Sequence, residues 1–324
     1  MEFNLFIWVL SILPIVLLLF LMAKVKMSSK NAAVLSLILT VLIAVYFYKM
    51  NFLQLSIAVQ KGAALSLYVI LIIVGAVFLF NVVDLAGGFE TIKEFMKKIN
   101  GNKTIQFILL SWAFSGFIQG VTGFGVPIAI VGALLIGTGY KPLKSITAVL
   151  VGHSWAISFG SMGSSFFALQ LVTGLEPVKL GITLALFFFI PVFTTGLAVA
   201  HIYGGINTVK KYFLYILPVS LLIGTTQLIA AAGNFAHIGS LMGGLVGSIS
   251  LLIILFKKSS ISLKELNKIK TSKMHIFHAF LPYVILIGTV ILFQFPFITN
   301  NLPNIQLDFS FSWLYNRFGL SSFS

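Results

Sequence analysis

The stretch Ser115–Pro127, SGFIQGVTGFGVP, decides how the chain is read. It holds Gly116, Gly120, Gly123 and Gly125, ends in proline, and lies inside a long apolar run. Each glycine in a helix interior costs about 1 kcal/mol relative to alanine. Proline removes a backbone donor and clashes with the preceding turn. An unsatisfied backbone group in hydrocarbon costs several kcal/mol, so such a break persists only where it is buried in protein or lines a wet cavity. The sequence therefore predicts a broken helix within a membrane bundle. A helix restarting near Pro127 leaves its first N–H groups without helical partners, and proline suits its first turn. Those N–H groups, with the positive end of the helix dipole, form an anion site. Carriers place broken helices at mid-membrane in this way. Gln119 and Thr122 add side-chain hydrogen bonds, and Gly120, Gly123, Gly125 and Pro127 shape the backbone cradle.

Composition supports the membrane reading. Of 324 residues, 59% are hydrophobic and 9% charged. A soluble domain carries roughly 25% charged residues, and a single soluble core stops growing at about 250–300 residues. The fold class expected is an all-α polytopic membrane protein of about 8–10 transmembrane helices. Ordinary spans are read at 5–23, 31–48, 62–80, 181–201, 212–232, 238–256 and 276–298, with broken or hairpin helices at 104–140 and 145–171. The chain 1–324 is taken as one membrane domain. Residues 1–103 hold the first spans and a surface helix, 104–171 the substrate region, 172–298 further spans, and 299–324 an amphipathic tail rich in aromatic residues.

The net charge is +14. The lysines cluster between apolar runs, as cytoplasmic loops require, and no basic face with interleaved aromatics points to nucleic acid. With the N-terminus outside, the inner loops 24–30, 81–103, 141–144, 202–211 and 257–275 hold 17 of the 21 basic residues. This requires 104–140 to return to the side it left and 145–171 to cross once in net terms. Phe89, Ile92, Phe95, Met96 and Ile99 recur at helical spacing opposite Glu90, Lys93, Glu94, Lys97 and Lys98. That pattern reads as a helix lying on the membrane surface, or as a solvated connector. Gly243 and Gly247 form a small-xxx-small pair, read as packing. Pro14, Pro191 and Pro218 are kinks tolerated in lipid.

A second polar break is Gly152–Ser165, GHSWAISFGSMGSS. Ser154, Ser158, Ser161, Ser164 and Ser165 are candidates to line the same cavity. His153 is an ionisable group inside the membrane, hence a functional candidate; a satisfied core histidine and serine-mediated packing are the plainer alternatives. No hydrolase, zinc-protease or phosphate-loop signature occurs, and there is no cysteine. No enzyme activity, cofactor or metal is expected. Ion or proton gradients remain as driving forces.

The runs GFIQGVTGFGVPIAIVGALLIGTGYKPL (116–143), SFGSMG (158–163) and VTGLEPVKLG (172–181), with the lysine-rich exit of the first span, resemble the lactate permease family. The resemblance covers most of residues 1–300. It implies a multi-span carrier of the inner (plasma) membrane that takes up lactate or similar 2-hydroxy monocarboxylates with a proton, and it fits a helical hairpin at 104–140. Substrate contacts then fall to Gln119, Gly120, Thr122, Gly123, Gly125, Pro127, His153, Ser154 and Ser158. The chain departs from the family at three points. Gln119 stands where an acidic residue is common, and a neutral amide binds a hydroxyl but carries no proton. An Asn-Thr-Ala-Pro-like stretch is replaced around His153–Trp155, which makes His153 the candidate for proton coupling. Family members are also longer, so the chain is expected to be an N-terminal half, or to assemble with another copy or a missing second half. A carrier for a different small anion, a non-transporting subunit and, more weakly, a channel stay open.

Overall fold

The computed structural model describes residues 5–98, 101–122, 126–257 and 274–292. The tail 299–324, Ile99 and most of the loop 257–275 lie outside these residues. The described residues form helices and no strand. Six helical stretches among them are long and apolar enough to cross a bilayer, with three shorter apolar helices beside them. The all-α polytopic class follows.

Contacts divide the chain into two units, 1–67 and 68–324. In the first, α1 (Leu5–Ala23) packs on α2 (Ser29–Tyr46). The start of α1 meets the end of α2 through the hydroxyls of Ser11 and Tyr48 and the Phe6 and Phe47 rings, 6.0 Å apart. Ser28 caps α2 by accepting from Asn31 N–H. Phe6, Trp8, Leu19 and Leu37 are exposed; in a membrane protein that surface meets lipid. The helix α3 (Phe52–Leu85) runs on into the second unit.

In the second unit, α4 (Gly88–Lys98) has the expected helical pattern. Its apolar face is covered by protein, however. Phe89, Ile92, Phe95 and Met96 are buried, Phe89 stacks near Phe80 at 5.1 Å, and α4 packs on α12 (Ile276–Leu292). Periodicity exposed the apolar stripe, but only the fold supplied its partner.

The next segment is α5 (Lys103–Ile108), a π-helical segment Leu109–Phe114 and α6 (Ser115–Val121), one continuous helical path capped at its start by Asn102. It is 94% buried, so it faces protein rather than lipid. Then comes α7 (Val126–Gly137). The Tyr140 hydroxyl lies 2.7 Å from Lys103 O and 2.9 Å from Gln106 Oε1. The two ends of the segment therefore meet, as a hairpin requires.

The chain continues through α8 (Pro142–Gly152), short 3-10 turns at Ser154–Ala156 and Ser161–Gly163, and α9 (Ser164–Thr173). The 56-residue α10 (Pro177–Ala232) is two antiparallel arms. Gly204 and Gly205 leave helical geometry, Gly205 with φ 73°. A Cβ on Gly181 would touch Ala231, one on Gly196 would touch Ile216, and one on Gly224 would touch Phe189. Only a fold-back at Gly204–Gly205 brings those pairs together. The spans expected at 181–201 and 212–232 are these arms, and the turn between them is shorter than the loop expected at 202–211.

α11 (Gly239–Lys257) is the axis of the unit. A Cβ on Gly244 would fall 2.3 Å from Phe117 N, and one on Gly243 3.2 Å from Ile223. The glycine row thus seats α6 on one side and the second arm of α10 on the other, the packing role expected of Gly243 and Gly247. Lys144 Nζ donates to Tyr203 O at 2.9 Å, Tyr212 donates to Asn102 Oδ1 at 3.0 Å, and Gln106 Nε2 donates to Met96 O at 2.7 Å. Residues from the loops read as 81–103, 141–144 and 202–211 accordingly gather at one end. Gly163 lies against His237, and Gly181 against Ala236, at the other. Residues 142–176 carry the chain once from the first end to the second.

Candidate functional site

Both breaks belong to the second unit, and they meet. α6 closes at Val121, with the Thr122 N–H on Ile118 O at 2.9 Å, and α7 opens at Val126 with Pro127 buried in its first turn. Gly123 and Gly125 lie outside the described residues. On the facing side, α8 ends at Gly152 with His153 as its C-cap, and the backbone stays irregular to Gly163.

Three close approaches join them. A Cβ on Gly152 would sit 1.8 Å from Ser111 O, in the π-helical segment. A Cβ on Gly116 would strike the Trp155 ring at 2.1 Å. A Cβ on Gly160 would sit 2.6 Å from Ala156 O and 3.1 Å from Gln119 O. Glycine at these positions is what lets the breaks interlock. Trp155 is fully buried, and its indole N–H reaches Trp112 O at 3.4 Å; Trp112 in turn donates to Val192 O at 3.1 Å. The wide π turn at Leu109–Phe114 is held by indoles, and by the Ser111 and Ser115 hydroxyls donating to Phe107 O and Ser111 O. Such turns occur often at functional sites.

Gln119 stands out. Its side chain is 7% exposed, and its Oε1 is buried with no hydrogen-bond partner. Leaving a buried acceptor unpaired costs about 1–3 kcal/mol, so the position favours an incoming donor. Gly120 beside it is pressed against α11, where a Cβ would fall 2.4 Å from Leu241 N. Thr122 is buried, but its hydroxyl donates to Ile118 O at 2.9 Å, so it offers an incoming group only an acceptor.

His153 is buried, and its Nδ1 bonds Val149 O within its own helix. A carbonyl only accepts, so Nδ1 carries a proton and Nε2 is the nitrogen left for exchange. Ser154 donates to Val151 O at 2.8 Å, again locally, and Ser158 is half-buried. Ser161 and Ser164 are buried, and Ser165 is exposed. Ser161, Met162 and Gly163 are all left-handed, at φ 50°, 52° and 79°. Two non-glycine residues there cost roughly 1–2 kcal/mol each, strain of the kind found at binding sites.

The sequence reading missed Gln227 and Ser240. Gln227 is fully buried on the second arm of α10; its Nε2 donates to Ser240 Oγ at 3.4 Å, and its Oε1 has no partner. Ser240 donates to Ala156 O at 2.9 Å, at the second break. A lone amide inside an apolar span was the available signal for Gln227. No group of His, Cys, Asp or Glu among the described residues is arranged to hold a metal ion.

At the end where the hairpin closes, Phe107, Gly139, Tyr140, Lys141, Lys144 and Tyr203 line a hollow of about 330 Å³. Burial, and then Tyr203, push the Tyr140 phenol up from its ordinary pKa, so it stays a donor there.

Residues 8–316 match the family model of L-lactate permease. The L-lactate permease of Streptococcus iniae is 29% identical over 262 residues, covering 80% of this chain and 54% of the relative. The glycolate permease of Escherichia coli (strain K12) is 32% identical over 172 residues, or 53% of this chain and 31% of that protein. The L-lactate permease of Bacillus subtilis (strain 168) is 29% identical over 171 residues, or 52% of this chain and 30% of that protein. The chain spans about half or less of the length of these relatives. No solved structure matches. A family match over nearly the whole chain, on a helical bundle with two interlocked breaks, places this chain in the L-lactate permease family.

Proposed function

We propose that the chain forms the substrate site of a secondary carrier for lactate, glycolate or a similar small 2-hydroxy monocarboxylate. The observation that carries this reading is the unpaired Oε1 of Gln119, buried in the last turn of α6 and bordering the second break. A carboxylate supplies only acceptors, but the 2-hydroxyl of such an acid supplies the donor this oxygen lacks. The carboxylate then belongs at the first turn of α7, where free N–H groups and the helix dipole favour an anion. Pro127 fits there because it has no N–H to leave unpaired. Gly120 seats the last turn of α6 on α11, while Thr122, Ser154 and Ser158 border the ligand in this reading; Gly123 and Gly125, which lie outside the described residues, belong to the same proposed site. Relatives named as L-lactate and glycolate permeases support the same class of acid.

His153 is the titratable side chain at the start of the second break, and in this reading it handles the coupling proton through Nε2. The end bearing Lys103, Lys141, Lys144, Lys210 and Lys211 faces the cytoplasm of a cell membrane, with the N-terminus outside. The hollow lined by Lys141 and Lys144 then opens to the cytoplasm.

Two results test this in liposomes holding the purified full chain. With Gln119→Leu, competition by 2-hydroxy acids against labelled lactate weakens about tenfold, the worth of one lost hydrogen bond. Acids of the same size without the hydroxyl compete as before. Equal weakening for both kinds of acid contradicts the role given to Gln119. With His153→Gln, an inward pH gradient no longer accelerates uptake, whereas exchange of labelled for unlabelled acid at equal pH persists. A pH gradient that still drives the variant normally removes His153 from proton handling.

A further inference from the structure

The hollow where the hairpin closes shares no residue with the organic-acid site. Phe107 of α5, Gly139 and Tyr140 from the turn after α7, Lys141 and Lys144 at the start of α8, and Tyr203 beside the fold-back of α10 enclose about 330 Å³. The Phe107 ring packs on Tyr140 at 5.1 Å and on Tyr203 at 4.9 Å, which gives the hollow an aromatic wall. Gly139 has φ 97°, and a Cβ built on it would meet no atom within 4 Å, so its turn leaves that side open.

The charge around this hollow is positive and uncompensated. Lys144 Nζ donates to Tyr203 O at 2.9 Å, which holds the ammonium at the wall and leaves two of its donors unused. The Lys141 side chain has no hydrogen bond or carboxylate partner among the described residues. Lys103 Nζ stands 5.9 Å from the centre of the Tyr140 ring. No acid lines the hollow. With 21 Lys and Arg against seven Asp and Glu, the chain lacks the carboxylates to pair its lysines internally. α8 adds to the field, because Lys141 at its N-cap offers no side-chain bond to the free N–H groups of the first turn. Like charges gathered around one space repel unless an anion comes between them. Lysine ammonium groups serve as point-charge partners of phosphate. The depth of the site narrows the source. Leu143, between the two lysines in sequence, is 81% exposed, and Ile206 beside the fold-back is 57% exposed. Acyl chains suit both, while Lys and Tyr suit the headgroup layer just above them. Basic pockets between spanning helices at that level take anionic lipid head groups.

We propose that the hollow holds the phosphate of an anionic phospholipid headgroup, with Lys141 and Lys144 as its ion partners. The phosphate supplies the negative charge that the lysines lack, and the acyl chains lie beside Leu143. A lipid bound in this way ties the closing turn of the hairpin to the fold-back of α10, which Lys144 and the three aromatic rings already bring together. The inference does not rest on the organic-acid reading, because lipid binding is measured without any acid present.

The test is thermal unfolding of the purified full chain in uncharged detergent at one ionic strength, with phosphatidylglycerol, phosphatidylcholine or inorganic phosphate added. Once phosphatidylglycerol exceeds its dissociation constant about tenfold, the midpoint rises by roughly 2–4 °C. Phosphatidylcholine and inorganic phosphate at the same concentration leave it unchanged. Lys141→Gln together with Lys144→Gln removes the rise. Lys24→Gln together with Lys30→Gln, an equal loss of charge in the first unit, retains it. Lys141→Gln alone breaks no hydrogen bond of the side chain and reduces the rise; it serves if the double variant does not fold. The site is overturned by the absence of a rise specific to phosphatidylglycerol, by a full rise retained without Lys141 and Lys144, or by an equal loss in the Lys24 and Lys30 pair. Inorganic phosphate acting as well as the lipid assigns the hollow to a dissolved anion and overturns the headgroup. Lipid stabilisation in a chain that takes up no labelled lactate or glycolate leaves this site and removes the carrier. Uptake without lipid stabilisation does the reverse.

Discussion

Gly120→Val is expected to unseat the hairpin from α11 and to abolish the proposed uptake. In a free helix the change gains a few tenths of a kcal/mol in propensity. Against that gain, even the first carbon of the new side chain would lie 2.4 Å from Leu241 N and 2.6 Å from Leu241 Cα. Those are backbone atoms of another helix, so no rotamer change relieves them; α6 and α11 must part by about 1 Å or more. Overpacking of this kind costs about 1–3 kcal/mol, and more when backbone is displaced. The steric term wins. α11 makes the reciprocal contact, Gly244 against Phe117 N at 2.3 Å, so the seam has no second surface on which to slide. Thermal unfolding in detergent should show a midpoint lower by about 5 °C or more, with membrane insertion retained. Gly62→Ala and Gly75→Ala are the controls. Neither position has an atom within 4 Å of the added carbon, so both should hold or raise the midpoint. A Gly120→Val protein as stable as these controls contradicts the seam.

Trp155→Ala is the second large effect. The side chain is completely buried between the hairpin and the second break. Truncating a buried tryptophan costs about 3–5 kcal/mol. Here it also leaves Trp112 O without its indole donor and opens space beside Gly116. The two breaks then lose their common wedge, and the proposed uptake should fall in step with stability. Trp155→Phe separates the contributions. It restores most of the volume and loses only the indole hydrogen bond, about 1 kcal/mol. Recovery of most of the unfolding midpoint by phenylalanine is the expected outcome. No recovery assigns the effect to the hydrogen bond alone, and a neutral Trp155→Ala denies the wedge altogether.

These two positions mark where the sequence is legible and where it is not. Gly120 lies in the run that singles out the first break, and the interruption between Val121 and Val126 falls where glycine and proline place it. Trp155 lies in the second polar run but drew attention only as a neighbour of His153. Its role depends on a glycine 39 positions earlier, at Gly116, and no local pattern connects the two. The same holds for α4. Its apolar stripe was plain in the periodicity, and a lipid surface was its natural partner, yet Phe89, Ile92, Phe95 and Met96 pack within protein. The π turn at Leu109–Phe114 had no signature either, because its residues suit an ordinary helix equally well.

Hydropathy, with the glycines, prolines and serines that interrupt it, determined that the chain is a helical membrane bundle, where most of its helices lie, and where they break. Those properties follow from each segment's own contest between burying apolar side chains and satisfying its backbone. Only the tertiary structure decided which helix faces lipid and which faces protein, that the breaks meet at Gln119 and Gly160, and that Gln227 is buried with an unpaired oxygen. In a bilayer the lipid tails and a neighbouring helix are almost equally apolar, so composition cannot tell them apart. Close fit can, and it is settled by glycines and indoles that lie far apart along the chain.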